Sequence, residues 1–116
     1  MQNTKQYDLE ERTFRFAKRV NVYVNNLPKT ITNLENGKQL VKSGGSVGAN
    51  YIEANEAISK KDFIFRIKIC RKETKESRFW LRLTEPSEEF KIEQDELIDE
   101  ATQLMKIFGS ILEKSK

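Results

Sequence analysis

The stretch FIFRIKICRKETKESRFWL, residues 63–81, decides the fold class of this chain. Within it, apolar or small residues recur at alternating steps of four and three positions: Phe63, Ile67, Cys70, Thr74, Ser77 and Leu81. That spacing is the period of one face of an α-helix. The stretch therefore predicts a long helix that packs against other helices along a single stripe.

Helical spacing and two proline breaks predict three further helices around this one. Pro28 and Pro86, the chain's two prolines, stand in the gaps before the second helix and before the fourth. The predicted helices run over about 8–26, 30–57, 59–83 and 92–113, with caps expected at Asp8, at Thr30 or Thr32, and at Ser59. Short connections make consecutive helices pack side by side in opposite directions. We therefore predict an all-α, antiparallel up-down four-helix bundle, a single domain over 1–116 with its core at about 8–113.

Three glycines, Gly44, Gly45 and Gly48, lie inside the second predicted helix. Each costs a helix interior about 1 kcal/mol relative to alanine, so their presence needs a physical reason. Small residues let another helix approach closely, and we expect bulky side chains of the third helix to fill this surface: Phe63, Phe65, Phe79 and Trp80. A phosphate-binding glycine loop is the alternative, but the spacing is wrong and no strand precedes the glycines.

Composition excludes several classes of function. The 116-residue chain has one cysteine, Cys70, and no histidine, so it lacks the usual base for a thiol or serine nucleophile and most ligands for zinc. No apolar run approaches the roughly 20 residues that span a bilayer, and residues 1–11 do not resemble a signal peptide. We expect a cytoplasmic, non-enzymatic protein with no metal, no cofactor and no membrane partner, in which Cys70 is a buried core residue.

The net charge of +3 is unevenly divided along the chain. Residues 1–84 hold 17 Lys/Arg against 9 Asp/Glu, a balance of +8, whereas residues 85–116 hold 4 against 9, a balance of −5. Such an uneven distribution is typical of phosphate binding, of acid–base pairing between subunits, or of ordinary solvated helix surfaces. The basic residues fall on two helical faces: Arg12, Arg15 and Arg19 on the first helix, and Lys68, Arg71, Lys72, Lys75, Arg78 and Arg82 on the third.

Glu73 and Glu76 lie between apolar residues on another face of the third helix. Paired carboxylates can act as general acid and base. Without a histidine, a metal motif or a nucleophile nearby, we instead expect them to form salt bridges with Lys42 or an arginine. Trp80 either stacks on nucleic-acid bases or packs on the glycine surface, and we expect packing.

The region from Gln39 to Leu83 resembles a family of four-helix-bundle proteins; it reads QLVKSGGSVGANYIEANEAISKKDFIFRIKICRKETKESRFWLRL. The first known members of this family are encoded in intervening sequences of bacterial large-subunit ribosomal RNA genes. Two segments, SVGANYIEANEA and KETKESRFWL, carry most of the resemblance, which extends over about 8–112. Members often have Asn-Ile-x-Glu-Gly where this chain has NYIEA at residues 50–54, and a basic residue where Lys42 stands.

The resemblance implies an up-down bundle that assembles into a homopentameric barrel and has no known catalysis; members have been described as ribosomal proteins. The accessory protein of diversity-generating retroelements shares this fold, and a basic surface of its pentamer binds nucleic acid and a reverse transcriptase. By the resemblance, the basic residues of the two faces named above would bind RNA or DNA. We therefore expect an oligomeric nucleic-acid-binding or ribonucleoprotein accessory protein. The alternative is an oligomeric scaffold that binds a protein partner.

Overall fold

A computed structural model describes residues 4–116 of the chain, with side chains from residue 9 onward. The helices are α1 (Thr4–Asn25), α2 (Ile31–Asn55), α3 (Lys60–Leu83) and α4 (Lys91–Lys114), with one 3-10 turn, Glu88–Phe90, before α4. No strand occurs in this part of the chain, so the predicted all-α class is confirmed. None of the described helices combines the length and the apolar character needed to cross a membrane.

The helices follow one another around the bundle. α2 packs against both α1 and α3, α3 packs against α4, and α4 closes the bundle against α1. The connections are short, so consecutive helices run antiparallel. The described chain measures 44 × 26 × 20 Å, and its longest dimension is close to the roughly 37 Å length of a 25-residue helix.

Hydroxyl caps mark the beginnings of α2 and α3. The Thr30 hydroxyl accepts a hydrogen bond from the Asn33 backbone amide at 3.1 Å, and the Ser59 hydroxyl accepts one from Asp62 at 3.0 Å. Both caps are as predicted. The cap predicted at Asp8 is wrong, because α1 begins at Thr4 and Asp8 lies inside the helix. Residues 4–7 contain neither glycine nor proline, so nothing in them stops the helix from extending.

The core follows the stripe predicted on α3. Its members Ile67, Cys70, Thr74, Ser77 and Leu81 are fully buried, and Phe63 packs at the edge. The two buried hydroxyls are satisfied by carbonyl groups of their own helix: Thr74 donates to Cys70 at 2.7 Å and Ser77 donates to Glu73 at 2.8 Å. Small polar residues are therefore tolerated in the middle of this interface.

One face of α2 is apolar and exposed. Its large residues, which we name the α2 outer face, are Ile31, Leu34, Val41 and Ile52. The helical period of α2 predicted these residues as part of its apolar set, together with Leu40, Val47 and Tyr51. The latter three are buried, whereas the α2 outer face lies beyond the packing within the described chain.

Two of the three glycines predicted as a packing surface, Gly44 and Gly48, face α1 and not α3, and Gly45 faces neither helix, so the predicted packing is wrong in its partner and at Gly45. A Cβ atom at Gly44 would lie 3.2 Å from a Val20 methyl carbon, and one at Gly48 would lie 3.0 Å from the Thr13 hydroxyl oxygen. Compact β-branched side chains of α1 thus occupy the space that the aromatic residues of α3 were expected to fill. A Cβ atom at Gly45 would have no neighbour within 4 Å. The aromatic residues lie elsewhere: Phe65 and Phe79 are exposed, and Phe63 and Trp80 are half-buried beside the core.

Asn33 fixes one end of the bundle by joining two interhelical connections. Its side-chain amide donates to the carbonyl oxygens of Pro28 at 2.9 Å and Glu85 at 3.0 Å, and its side-chain oxygen accepts from the Glu85 amide at 2.9 Å. Close by, the Tyr23 and Thr84 hydroxyls share a buried hydrogen bond at 2.8 Å. Burial raises the pKa of Tyr23 above its ordinary value. These bonds hold the end of α3 and the start of α4 in place against α1 and α2.

Candidate functional site

Two of the predicted basic residues of α1 are paired within the chain. Arg12 forms a bidentate ion pair with Glu100 of α4: its Nε and Nη2 atoms donate to the two carboxylate oxygens at 2.7 and 2.9 Å. Arg19 pairs with Glu93 at 2.8 and 3.1 Å and with Glu96 at 2.9 Å. The hydrogen bonds to Glu93 raise the pKa of Arg19 above its ordinary value. The acidic part of α4 therefore supplies the counter-charge for these two arginines.

Arg15, the third predicted residue of α1, differs from the other two. It is exposed and pairs with Glu11 of its own helix at 3.1 Å. Exposed pairs of this kind contribute only about 0.3–0.5 kcal/mol and exchange readily with solvent or other ions. The predicted basic face of α1 is thus largely a contact with α4, and Arg15 is the most exposed of its three arginines.

Four of the predicted cations of α3 surround one shallow concavity. Its lining, which we name the α3 groove, consists of Lys68, Arg71, Lys72, Lys75, Glu76 and Phe79 of α3 with Leu112 of α4. The concavity encloses about 570 Å³. Within the described part of the chain, Lys68, Arg71 and Lys75 form no ion pair, and Lys72 has one contact, at 4.0 Å, with Glu73. The structure therefore gathers four cations with little counter-charge of their own.

The α3 groove remains cationic because the facing part of α4 contains no acid. Gly109 marks the contact between the two helices, since a Cβ atom there would lie 3.7 Å from Arg71 Nε. The surrounding residues 101–112, ATQLMKIFGSIL, include neither Asp nor Glu. The carboxylates of α4 that pair with α1 lie earlier in the helix, between Glu93 and Glu100.

Arg78 and Arg82, the other two predicted cations of α3, do not line the α3 groove. Arg82 is exposed, and Arg78 is half-buried. Arg78 Nε is shielded from solvent and has no hydrogen-bond partner among the described residues. Because this nitrogen is shielded from solvent, Arg78 is less available to a ligand than the four groove cations.

Phe79 is a groove residue that was predicted only as packing material. Its side chain is 53% exposed, and its ring meets that of Trp80 edge to face, with centroids 4.9 Å apart and planes at 80°. Phe79 follows Lys75 by one helical turn and Lys72 by two turns, so it lies on the same face of α3 as these cations. This spacing could have identified it from the sequence.

The remaining chemically reactive candidates have structural surroundings. Burial raises the pKa of the Cys70 thiol to about 12, so it is protonated at neutral pH and unsuited to nucleophilic attack. Burial, and then the nearby Glu76 carboxylate, raise the pKa of Glu73. No group of three or more His, Cys, Asp or Glu side chains suited to a metal ion occurs in the part of the chain that the structure describes.

Comparison with known proteins identifies the family of this chain and a solved structure of similar fold. The family model described as 23S rRNA-intervening sequence protein matches residues 5–110. The fold is similar to the crystal structure of a protein of unknown function from the S23 ribosomal protein family of Bacteroides thetaiotaomicron. The two share 28% sequence identity with a TM-score of 0.76, over 94% of this chain and 98% of that one. Among curated proteins, none matches the chain.

Proposed function

The chain belongs to the 23S rRNA-intervening sequence protein family, as the resemblance predicted, and we propose that it is a non-enzymatic, oligomeric, cytoplasmic protein that binds nucleic acid through the α3 groove. The solved relative is of unknown function, so the proposal rests on the geometry of this chain. The observation that carries it is the set of four cations around one concavity, with a single 4.0 Å contact to a carboxylate. Phosphate groups supply the charge that this surface lacks.

The two predicted basic faces are not equivalent in this proposal. Arg12 and Arg19 already have carboxylate partners, so a phosphate would have to displace Glu100 or Glu93 to bind them. The α3 groove requires no such exchange. We therefore assign the main phosphate contacts to the groove cations, with Arg82 and Arg15 as exposed residues outside it.

Association of several chains is the second part of the proposal. The α2 outer face exposes large apolar side chains, among them Ile31 at 83% and Ile52 at 54%. Several large apolar side chains exposed along one helix are typical of a contact with another protein, and the family resemblance suggests a homopentamer. Repetition of the α3 groove in an oligomer would make weak individual contacts multivalent.

A charge placed on α4 tests the proposal without altering α3. Gly109→Glu puts a carboxylate next to Arg71, whereas Gly109→Gln adds a side chain of the same size without charge. Both changes replace a helical glycine and should stabilise α4 by similar amounts. Binding of a structured RNA and a DNA duplex is followed by fluorescence anisotropy between 50 and 200 mM salt. We expect the Glu variant to bind about tenfold more weakly than the Gln variant at low salt. Equal affinities, or no binding by the wild type at 50 mM salt, would refute the assignment.

A scaffold that binds a protein partner is the second candidate, and the α2 outer face favours it. In its simplest form, the cations of α3 pair with the acidic helix of a neighbouring subunit. That form is weakened by the pairing of Glu93, Glu96 and Glu100 with Arg12 and Arg19 of the same chain. Sedimentation across a salt series separates the candidates. Dissociation with rising salt indicates charge pairing between subunits, whereas an oligomer that persists leaves the α3 groove available to nucleic acid.

A further inference from the structure

The α3 groove contains an aromatic ring among its cations, and from this we propose that it binds unpaired nucleotides. In this arrangement one base stacks on Phe79 while phosphates contact Arg71 and the lysines. The inference rests on the proposed nucleic-acid function and specifies its target as a single strand, a loop or a bulge of RNA or DNA. Arg and Lys side chains together with an exposed aromatic ring are the typical elements of such sites.

The Phe79 ring is accessible to solvent and also contacts a neighbouring aromatic ring. About half of its side chain is exposed, at 53%, although the residue lies on a packed helix. The Trp80 ring contacts it edge to face at a centroid distance of 4.9 Å. Trp80 is itself half-buried against the core, so it limits the movement of its neighbour. A ring that is ordered before the ligand arrives loses little conformational entropy on binding.

The cations are placed to follow a strand that approaches this ring. Lys68 to Lys75 extend over seven residues, or roughly 10 Å of helix, and Phe79 follows one turn later. In a duplex the faces of the bases are stacked inside the helix, out of reach of a ring on a protein surface. Only an unpaired base can stack on Phe79 while its flanking phosphates meet the row of cations.

Glu76 fits a base more readily than a phosphate. It is the acidic member of the groove lining and is exposed. Its carboxylate repels a phosphate but accepts hydrogen bonds from exocyclic amino groups such as that of cytosine. The groove thus offers a base-binding part near Phe79 and Glu76 and a phosphate-binding part along the lysines.

The experiment compares a single strand with a duplex on matched phenylalanine variants. The probes are fluorescein-labelled oligo(C) and oligo(dC) of 12 nucleotides, whose bases carry the exocyclic amino group, and a 12-base-pair DNA duplex. Phe79→Leu removes the aromatic face, Phe79→Tyr retains it, and Phe65→Leu is the control. Phe65 is on the same helix and similarly exposed, at 56%, but lies outside the groove lining. Melting temperatures show whether each variant is folded.

We expect the wild type to bind a single strand more tightly than the duplex. Phe79→Leu should weaken single-strand binding by at least about fivefold, the lower end of the contribution of one stacked base. Phe79→Tyr and Phe65→Leu should bind as the wild type does. The oligonucleotides should also quench the fluorescence of Trp80, the chain's single tryptophan, because a base on Phe79 lies beside it.

The outcomes distinguish this inference from the proposed function. If Phe79→Leu binds as tightly as the wild type while Arg71→Gln with Lys75→Gln weakens binding, stacking is overturned and the nucleic-acid function stands. Equal losses from Phe79→Leu and Phe65→Leu also overturn a specific stacking site. If neither strand nor duplex binds at 50 mM salt, the proposed function fails and this inference fails with it.

Discussion

Removing two cations from the α3 groove should change the salt dependence of binding by a calculable amount. Arg71→Gln with Lys75→Gln removes two of the four groove cations and introduces no repulsion. For single strands, the logarithm of affinity falls with the logarithm of salt with a slope of about −0.7 per phosphate neutralised. A short oligonucleotide that contacts all four cations should therefore give a slope of about −2.8, and the double variant about −1.4.

A second double variant provides the matched control. Arg12→Gln with Arg19→Gln removes the same charge from α1, where the arginines are already paired with α4. Its slope should remain at about −2.8, because these arginines do not contribute counter-charge to the ligand. Its melting temperature should fall instead, since Glu93 and Glu100 lose their partners, by about 4 °C for each kcal/mol of lost stability in a chain of this length.

Fluorescence anisotropy at 50, 100 and 200 mM salt measures both slopes. Over this fourfold range the wild type should lose affinity about 50-fold and the groove variant about sevenfold. Circular dichroism should show the same helical content in all three proteins. The reasoning would be refuted by equal slopes for wild type and groove variant, or by an equal reduction in the two double variants, because either result would mean that the groove cations are not the phosphate contacts.

Three further tests concern the packing of the bundle, each with variants that are compared by thermal or denaturant unfolding. Asn33→Ala removes three hydrogen bonds from α2 to the two connections and should cost about 3 kcal/mol. Asn26→Ala loses one bond to the last turn of α1 and should cost far less; similar losses would contradict the bridging role. Gly45→Ala should stabilise the fold by up to about 1 kcal/mol because its Cβ meets open space. Gly48→Ala should give no such stabilisation, because its Cβ atom would be crowded against the Thr13 hydroxyl of α1. If Gly45→Ala and Gly48→Ala changed the stability equally, the close contact at Gly48 would be contradicted. Glu73→Gln should stabilise the fold at pH 7. Because burial raises the pKa of Glu73 in the fold, the wild type loses stability as the pH rises through that pKa. The stabilisation by Glu73→Gln should therefore shrink toward acidic pH. A stabilisation that is the same at every pH would contradict this reasoning.

The features that could be predicted from the sequence are those set by local spacing. The core stripe of α3 follows from the helical period, and the caps at Thr30 and Ser59 follow from the hydroxyl groups that precede each helix. The start of α1 was missed because Asp8 is itself a typical N-cap residue, whereas residues 4–7 contain no glycine or proline that would stop the helix from extending. The helix therefore extends from Asp8 toward the N-terminus as far as Thr4.

The features that could not be predicted depend on which helix lies opposite. The glycines of α2 were assigned to α3 because aromatic residues are numerous there, but Val20 and Thr13 of α1 occupy that space. Arg12 and Arg19 have the same helical spacing as an exposed basic stripe, yet α4 pairs with them. The spacing within one helix shows which face a side chain lies on. Only the neighbouring helices show whether an oppositely charged residue lies against that face.

The direction of α4 explains how a chain with 21 basic and 18 acidic residues presents a cationic groove. If α4 ran parallel to α3, its acidic first half would lie beside the first half of α3, which contains Lys68 and Arg71. The short connection between the helices forces the reversal, so residues 101–112, which include no Asp or Glu, face the groove and the carboxylates reach α1 instead. Asn33 fastens that same connection through Glu85. The charge of the groove is therefore a consequence of topology, which is why neither the net charge nor the basic spacing of α3 was enough to locate it.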